Sequence, residues 1–190
     1  MKLSKSVLLG LSFGTIFSVT SVYAENMKMT ATEINTLATV AMINKSEIII
    51  SEVATNKTHD AGVTDLAHMM ITDHSASLTK IVSFDQNPRA LSLALSHGTA
   101  EKLLLQSNND LTKLGALQDD QFNHAYVDAM VAGHTAALHL IDTQLMKTAH
   151  SDEMKKFMID TRAMVADHLE HAKALQKKNS SLSTPKTHAL

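Results

Sequence analysis

Residues 119–145, DDQFNHAYVDAMVAGHTAALHLIDTQL, decide how this chain folds. Val127, Met130, Leu138, Ile141 and Leu145 recur at helical spacing and make one apolar stripe. Asp119 or Asp120 can cap the free N–H groups of the first turn. A single polar residue interrupts the stripe: His134 lies between Met130 and Leu138, on the face that should be buried. Ala132, Gly133, Ala136 and Ala137 keep the helix thin around it, so a neighbouring helix can approach closely.

The flanking sequence repeats this pattern. Ser151 caps a following helix that carries Met154, Phe157, Met158, Met164, Ala172 and Leu175. The short break between the two makes them an antiparallel hairpin. Upstream, Thr30 and Glu33 form a capping-box signature ahead of Ile34, Leu37, Ala41, Ile48 and Ile50, which predicts a helix from residue 31 to about 56. Asp60 caps the next, with Val63, Ala67, Met70, Leu78 and Ile81 turned inward as far as about Phe84, and these two also form a hairpin. Residues 85–118 join the hairpins and contain Pro88, Gly98 and a short helix predicted over residues 99–114. A connection of that length can run the height of a bundle and makes the second and third long helices parallel. The predicted fold is therefore all-α, a ferritin-like four-helix bundle with a long crossover.

Composition bounds the compartment and the chemistry. Lys2 and Lys5, the apolar run 7–19 and the small residues around Val22-Tyr23-Ala24 predict a signal peptide over residues 1–24, cleaved after Ala24. The bundle domain is then residues 25–179, and the Ser/Thr-rich residues 180–190 read as a disordered tail. The expected location is the periplasm, with no integral membrane segment after cleavage. With 0 Cys, disulfides, thiolate metal sites and cysteine nucleophiles are excluded. Losing Lys2 and Lys5 takes the formal charge from −2 to −4, so a nucleic-acid partner is not expected, and Lys155-Lys156 and Lys177-Lys178 read as solvated helix surface. A homo-oligomer is compatible with the composition.

Each long helix carries one metal-capable side chain on its apolar stripe: Glu47, His74, His134 and His168. Each falls roughly 14 to 16 residues into its helix, roughly 20 to 24 Å from the N-terminus, and a midpoint stays a midpoint whichever way the helix runs. Three imidazoles and one carboxylate meeting at mid-bundle suit a transition-metal ion, zinc or iron/manganese. Asn44, Ser51, Ser77, Thr161 and His171 lie one turn away and can orient the ligating rings. The competing reading is a metal-free hydrogen-bonded network, since 11 His spread over helical sequence will put some inside by chance.

Other chemistries find less support. No Glu has a His three positions later, as paired di-iron sites require; Asp65-x-x-His68 is the nearest pattern and lies off the inward face. Met27-x-Met29 and Met69-Met70 could handle copper, but methionines on core stripes more commonly fill gaps. Phosphate loops, zincin motifs and nucleophile elbows are lacking. In Asp73-His74 and Asp167-His168 the adjacent side chains diverge by about 100°, which sets each Asp at the stripe edge where it can bond a neighbouring helix. Asp128 and His124 read as surface or edge residues.

Several of these segments carry a resemblance. Ser46-Glu47-Ile48, Met70-Ile71-Thr72-Asp73-His74, Ala125-Tyr126-Val127 through Val131-Ala132-Gly133-His134, and Asp167-His168-Leu169 resemble the exported bacterial family catalogued as domain of unknown function four-one-four-two. The likeness spans residues 34–175 approximately. It implies a ferritin-like fold, export and the same four inward positions, and it brings no established activity. Ala163 stands where many members of that family have proline, which speaks against a kink in the last helix. No reaction is assigned. The functions left open are a metal-binding bundle, a metal-free envelope interaction protein and a di-iron oxidase-like protein.

Overall fold

The computed structural model describes residues 29–84 and 88–182. They form six α-helices: α1 (Ala31–Lys57), α2 (Ala61–Phe84), α3 (Pro88–Leu95), α4 (Gly98–Ala116), α5 (Asp119–Thr143) and α6 (Asp152–Leu182). A 3-10 turn, Leu145–Thr148, joins α5 to α6, and the described residues include no strand. The predicted leader lies outside the described residues, as do residues 183–190 of the predicted tail. Residues 180–182 of that tail continue α6.

Most of the predicted caps are in place. Thr30 Oγ1 accepts from Glu33 N at 3.2 Å, while Glu33 Oε2 accepts from Thr30 N at 3.0 Å. The same carboxylate reaches across the fold, its Oε1 accepting from His150 N at 3.1 Å, so it ties the start of α1 to the turn before α6. Burial acts to raise the Glu33 pKa, but hydrogen bonds from Thr30 and the backbone of His150 and Ser151 outweigh it and hold the carboxyl below its ordinary value. Asp60 Oδ1 accepts from Val63 N at 2.9 Å, and Ser151 Oγ from Met154 N at 3.1 Å. The start of α5 differs from expectation. Its N-cap is Gln118, whose side chain makes no capping bond, and Asp119 takes a φ of 48°. Asp119 and Asp120 thus sit in the first turn, where negative charge favours the helix dipole.

The connection after α2 holds two helices where one short one was expected. Pro88 opens α3 at the first helical position, where its missing N–H goes unused, and Gly98, at φ 64°, opens α4. Both pack on α1, where Ala38 and Met42 meet Ala100 with Leu91, Leu95 and Leu103 around them.

Two larger apolar clusters fill the interior. One draws on the first half of α1 (Leu37, Val40), the end of α2 (Ile81, Phe84), the end of α5 (Ile141) and the start of α6 (Met154, Phe157). The other takes the opposite halves: Ile50 and Ala54, Val63 and Met70, Phe122 and Tyr126, and Ala172. Met70, Met130, Met154 and Met158 are all buried within these clusters and Met69 packs at their edge, so these methionines are core filler. Met29 also packs on the first cluster, while Met27 lies outside the described residues. Between the two clusters runs a buried polar level formed by Asn44, His74, His134 and His168.

Candidate metal centre

His74, His134 and His168 are 0%, 2% and 0% exposed. Their ring centroids are separated by 5.8 Å (His74 to His134), 5.1 Å (His74 to His168) and 5.4 Å (His134 to His168). One nitrogen from each ring lies within 4.8 Å of the other two.

The opposite nitrogen of each ring is bound to the protein. His74 Nδ1 lies 2.8 Å from Asn44 Oδ1, and the Asn44 amide is itself oriented by donation from Nδ2 to Ser77 Oγ at 2.8 Å. His134 Nδ1 lies 2.9 Å from the Met130 carbonyl, and His168 Nε2 lies 3.0 Å from Asp73 Oδ2. All three partners are acceptors, so each ring places its N–H outward, and the tautomer is thereby fixed. The inward nitrogens, His74 Nε2, His134 Nε2 and His168 Nδ1, are then bare lone pairs, and all three are buried with no hydrogen-bond partner. Such a cluster cannot satisfy itself, because the protons it would need are committed elsewhere. Among the described residues no protein group donates to the three inward nitrogens.

His74 and His134 resist protonation. Burial, then repulsion from His134 and His168, drives the His74 pKa far below its ordinary value. Burial, then His168, lowers His134 to about 4, against a smaller opposing pull from the Met130 carbonyl. An uncharged imidazole with a free lone pair is the form that binds a metal.

Glu47 stands apart from this group. The residue is half-buried, yet its Oε2 is shielded from solvent and has no partner. Burial, then the charge of Asp110, raises its pKa to about 7. Glu47 and Asp110 both line a cavity of about 160 Å³ between α1, α4 and α5. Gly133 borders the carboxylate there: a Cβ at that position would lie 3.4 Å from Glu47 Oε1, in contact with it. A second opening, of about 470 Å³, runs between α2 and α6 and is lined by Asp73, Ser77, Thr161 and His168.

Of the residues expected to orient the rings, Asn44 holds His74, and Ser77 holds Asn44. Thr161 lines the α2–α6 opening beside His168. Ser51 instead bonds Tyr126 Oη at 2.9 Å, and His171 is exposed and bonds the Asp167 carbonyl at 3.0 Å. His124 and Asp128 are exposed, and Asp128 accepts from Gln176 Nε2 at 2.7 Å. Asp73 does bond a neighbouring helix, but its partner, His168, was not legible beforehand. The signal was its place next to His74, about 100° round the helix. The Met130 carbonyl leaves no signal of its own beyond standing four residues before His134.

The fold and site define an all-helical bundle with a buried cluster of three imidazoles. The model of the family described as Domain of unknown function (DUF4142) matches residues 19–175, and the chain belongs to that family. No curated protein and no solved structure matches it.

Proposed function

We propose that this protein is an exported helical bundle of ferritin-like layout that binds one divalent transition-metal ion through His74, His134 and His168, with Glu47 turning in from its side cavity to supply the carboxylate of the set. The observation that carries this reading is the trio of buried, unpartnered ring nitrogens within 4.8 Å of one another, each aimed by an acceptor on the far side of its ring. Burying an unpaired polar atom costs about 1 to 3 kcal/mol, and three together are hard to account for without an electron-pair acceptor among them. Imidazole suits zinc and iron, and an added carboxylate suits manganese as well. A shell closed by Glu47 favours a storage, structural or sensing role, and an open position would permit redox or hydrolytic work.

The ferritin-like layout is supported by which helix halves share a cluster. The start of α1 and the end of α2 meet the end of α5 and the start of α6, so α2 and α5 run the same way and α3 and α4 bridge the height between them. Export to the periplasm rests on the basic start, the apolar run and the small residues before Glu25. No helix among the described residues is long and apolar enough to cross a membrane.

Elemental analysis of protein recovered from the periplasm tests the proposal. The expectation is close to one ion per chain in wild type, its loss in His134→Ala, and a lower melting temperature after chelation. Metal-free wild type whose melting ignores chelator would instead leave a helical interaction scaffold.

A further inference from the structure

Resting on the metal reading above, we infer that the ion reaches the imidazoles through the cavity between α1, α4 and α5, held in turn by Asp110 at its outer side and Glu47 at its inner side. A cation bound for a site closed to solvent needs a route whose walls compensate for its lost hydration.

This cavity has that character. Asp110 is 36% exposed, and its Lys113 partner is a loose ion pair at 3.7 Å on the surface of the same helix. Glu47 sits deeper, with Oε2 shielded and unpartnered, beside Gly133, the residue adjoining His134. The charge of Asp110 is felt at Glu47. Ser46, Gln106 and Ser107 add oxygen and amide groups, and no basic residue lines the space. Two acidic residues in the wall of one cavity that no basic residue lines attract a cation.

The α2–α6 opening is larger but poorly suited. Three of its four carboxylates are closely engaged, Asp160 with Lys156 at 2.8 Å, Glu153 with Lys80 at 3.3 Å and Asp73 with His168 at 3.0 Å, and the fourth, Asp167, lies 3.6 Å from His171. An arriving cation would meet two ammonium groups at that mouth.

Stopped-flow mixing of the full metal-free chain with cobalt(II), followed by its visible absorption, separates the routes. Asp110→Asn should take up cobalt about tenfold more slowly, the lower end of the range for a focused field, and reach the wild-type end point. Ser107→Leu, which fills the cavity, should also slow uptake without changing stoichiometry. Asp160→Asn makes the same change of charge at the other opening and should keep the wild-type rate. Uptake by Asp110→Asn and Ser107→Leu at wild-type speed, or equal slowing in Asp110→Asn and Asp160→Asn, overturns the route while leaving the metal site standing. No uptake by wild type removes both.

Discussion

Asp73 Oδ2 accepts a hydrogen bond from His168 Nε2 at 3.0 Å across the contact between α2 and α6, and this bond decides which nitrogen of the ring carries the proton. With Nε2 protonated, Nδ1 faces His74 and His134 as a lone pair. Asp73→Ala should leave the ring free to turn or change tautomer, lowering metal affinity by about 10- to 100-fold. At saturating zinc the stoichiometry should stay at that of wild type. Competition against a chelator of known affinity measures the change; an unaltered affinity would mean that Asp73 does not orient the ring.

His134→Leu separates the stability of the fold from the requirements of the site. In metal-free protein the inward nitrogen of His134 is an unsatisfied buried group, whereas leucine is close in bulk and carries no polar atom. The metal-free variant should be more stable than metal-free wild type by about 1 to 2 kcal/mol, or about 2 to 8 °C in melting temperature. Excess zinc should reverse the order, because only wild type gains, by about 2.7 kcal/mol at a hundredfold excess over Kd. Calorimetry on both forms is the check, and a metal-free variant that melts well below wild type would show that His134 is satisfied as it stands.

Glu33 serves two structural elements at once. Its two carboxyl oxygens accept from Thr30 N and His150 N, so Glu33→Ala strands N–H groups at the start of α1 and in the turn before α6. The expected loss is about 2 to 3 kcal/mol, or about 4 to 12 °C for a chain of this size. Metal stoichiometry should not change, since Glu33 lies away from the imidazoles. A variant melting within a degree of wild type would mean that neither bond matters.

The parts of this molecule legible from sequence are those governed by local rules. Thr30, Asp60 and Ser151 were identifiable as caps because capping depends on residues three positions apart, and His74, His134 and His168 were identifiable as inward because helical period fixes the face. What depends on how helices meet was not legible. Asp73 could be placed at a stripe edge but not opposite His168, since that pairing needs the rotation of α2 against α6. Asp110 gave no signal, because nothing local shows that α4 lies along α1. Glu47 could be placed on its stripe, but not beside a cavity shared with α4 and α5, since that depends on where α4 packs. Asp119 failed as a cap because the tight passage from Leu117 puts it at φ 48°, which Asp tolerates.

The pH dependence of the metal-free protein follows from opposing shifts at neighbouring groups. His134 falls from 6.5 to about 4 on folding and His74 falls further, so over that range the unfolded chain binds protons that the native rings refuse. Their contribution is present above 6.5 and is lost as pH falls. Glu47 acts in the other direction: its pKa rises from 4.5 to about 7, so its neutral form favours the fold at low pH and that contribution is lost as pH rises toward 7. Near pH 5.5 two imidazoles outweigh one carboxyl. Unfolding should take up about one net proton from these groups, and stability should fall by about 1.4 kcal/mol for each unit of acidification. Glu47→Gln removes the opposing group, so the slope should approach twice that value. Below 4.5 the hydrogen-bonded Glu33, whose pKa is lowered, adds to the loss in both proteins. Urea unfolding of metal-free wild type and Glu47→Gln between pH 5 and 6 measures both slopes; equal slopes would mean that Glu47 does not take up a proton in the folded protein.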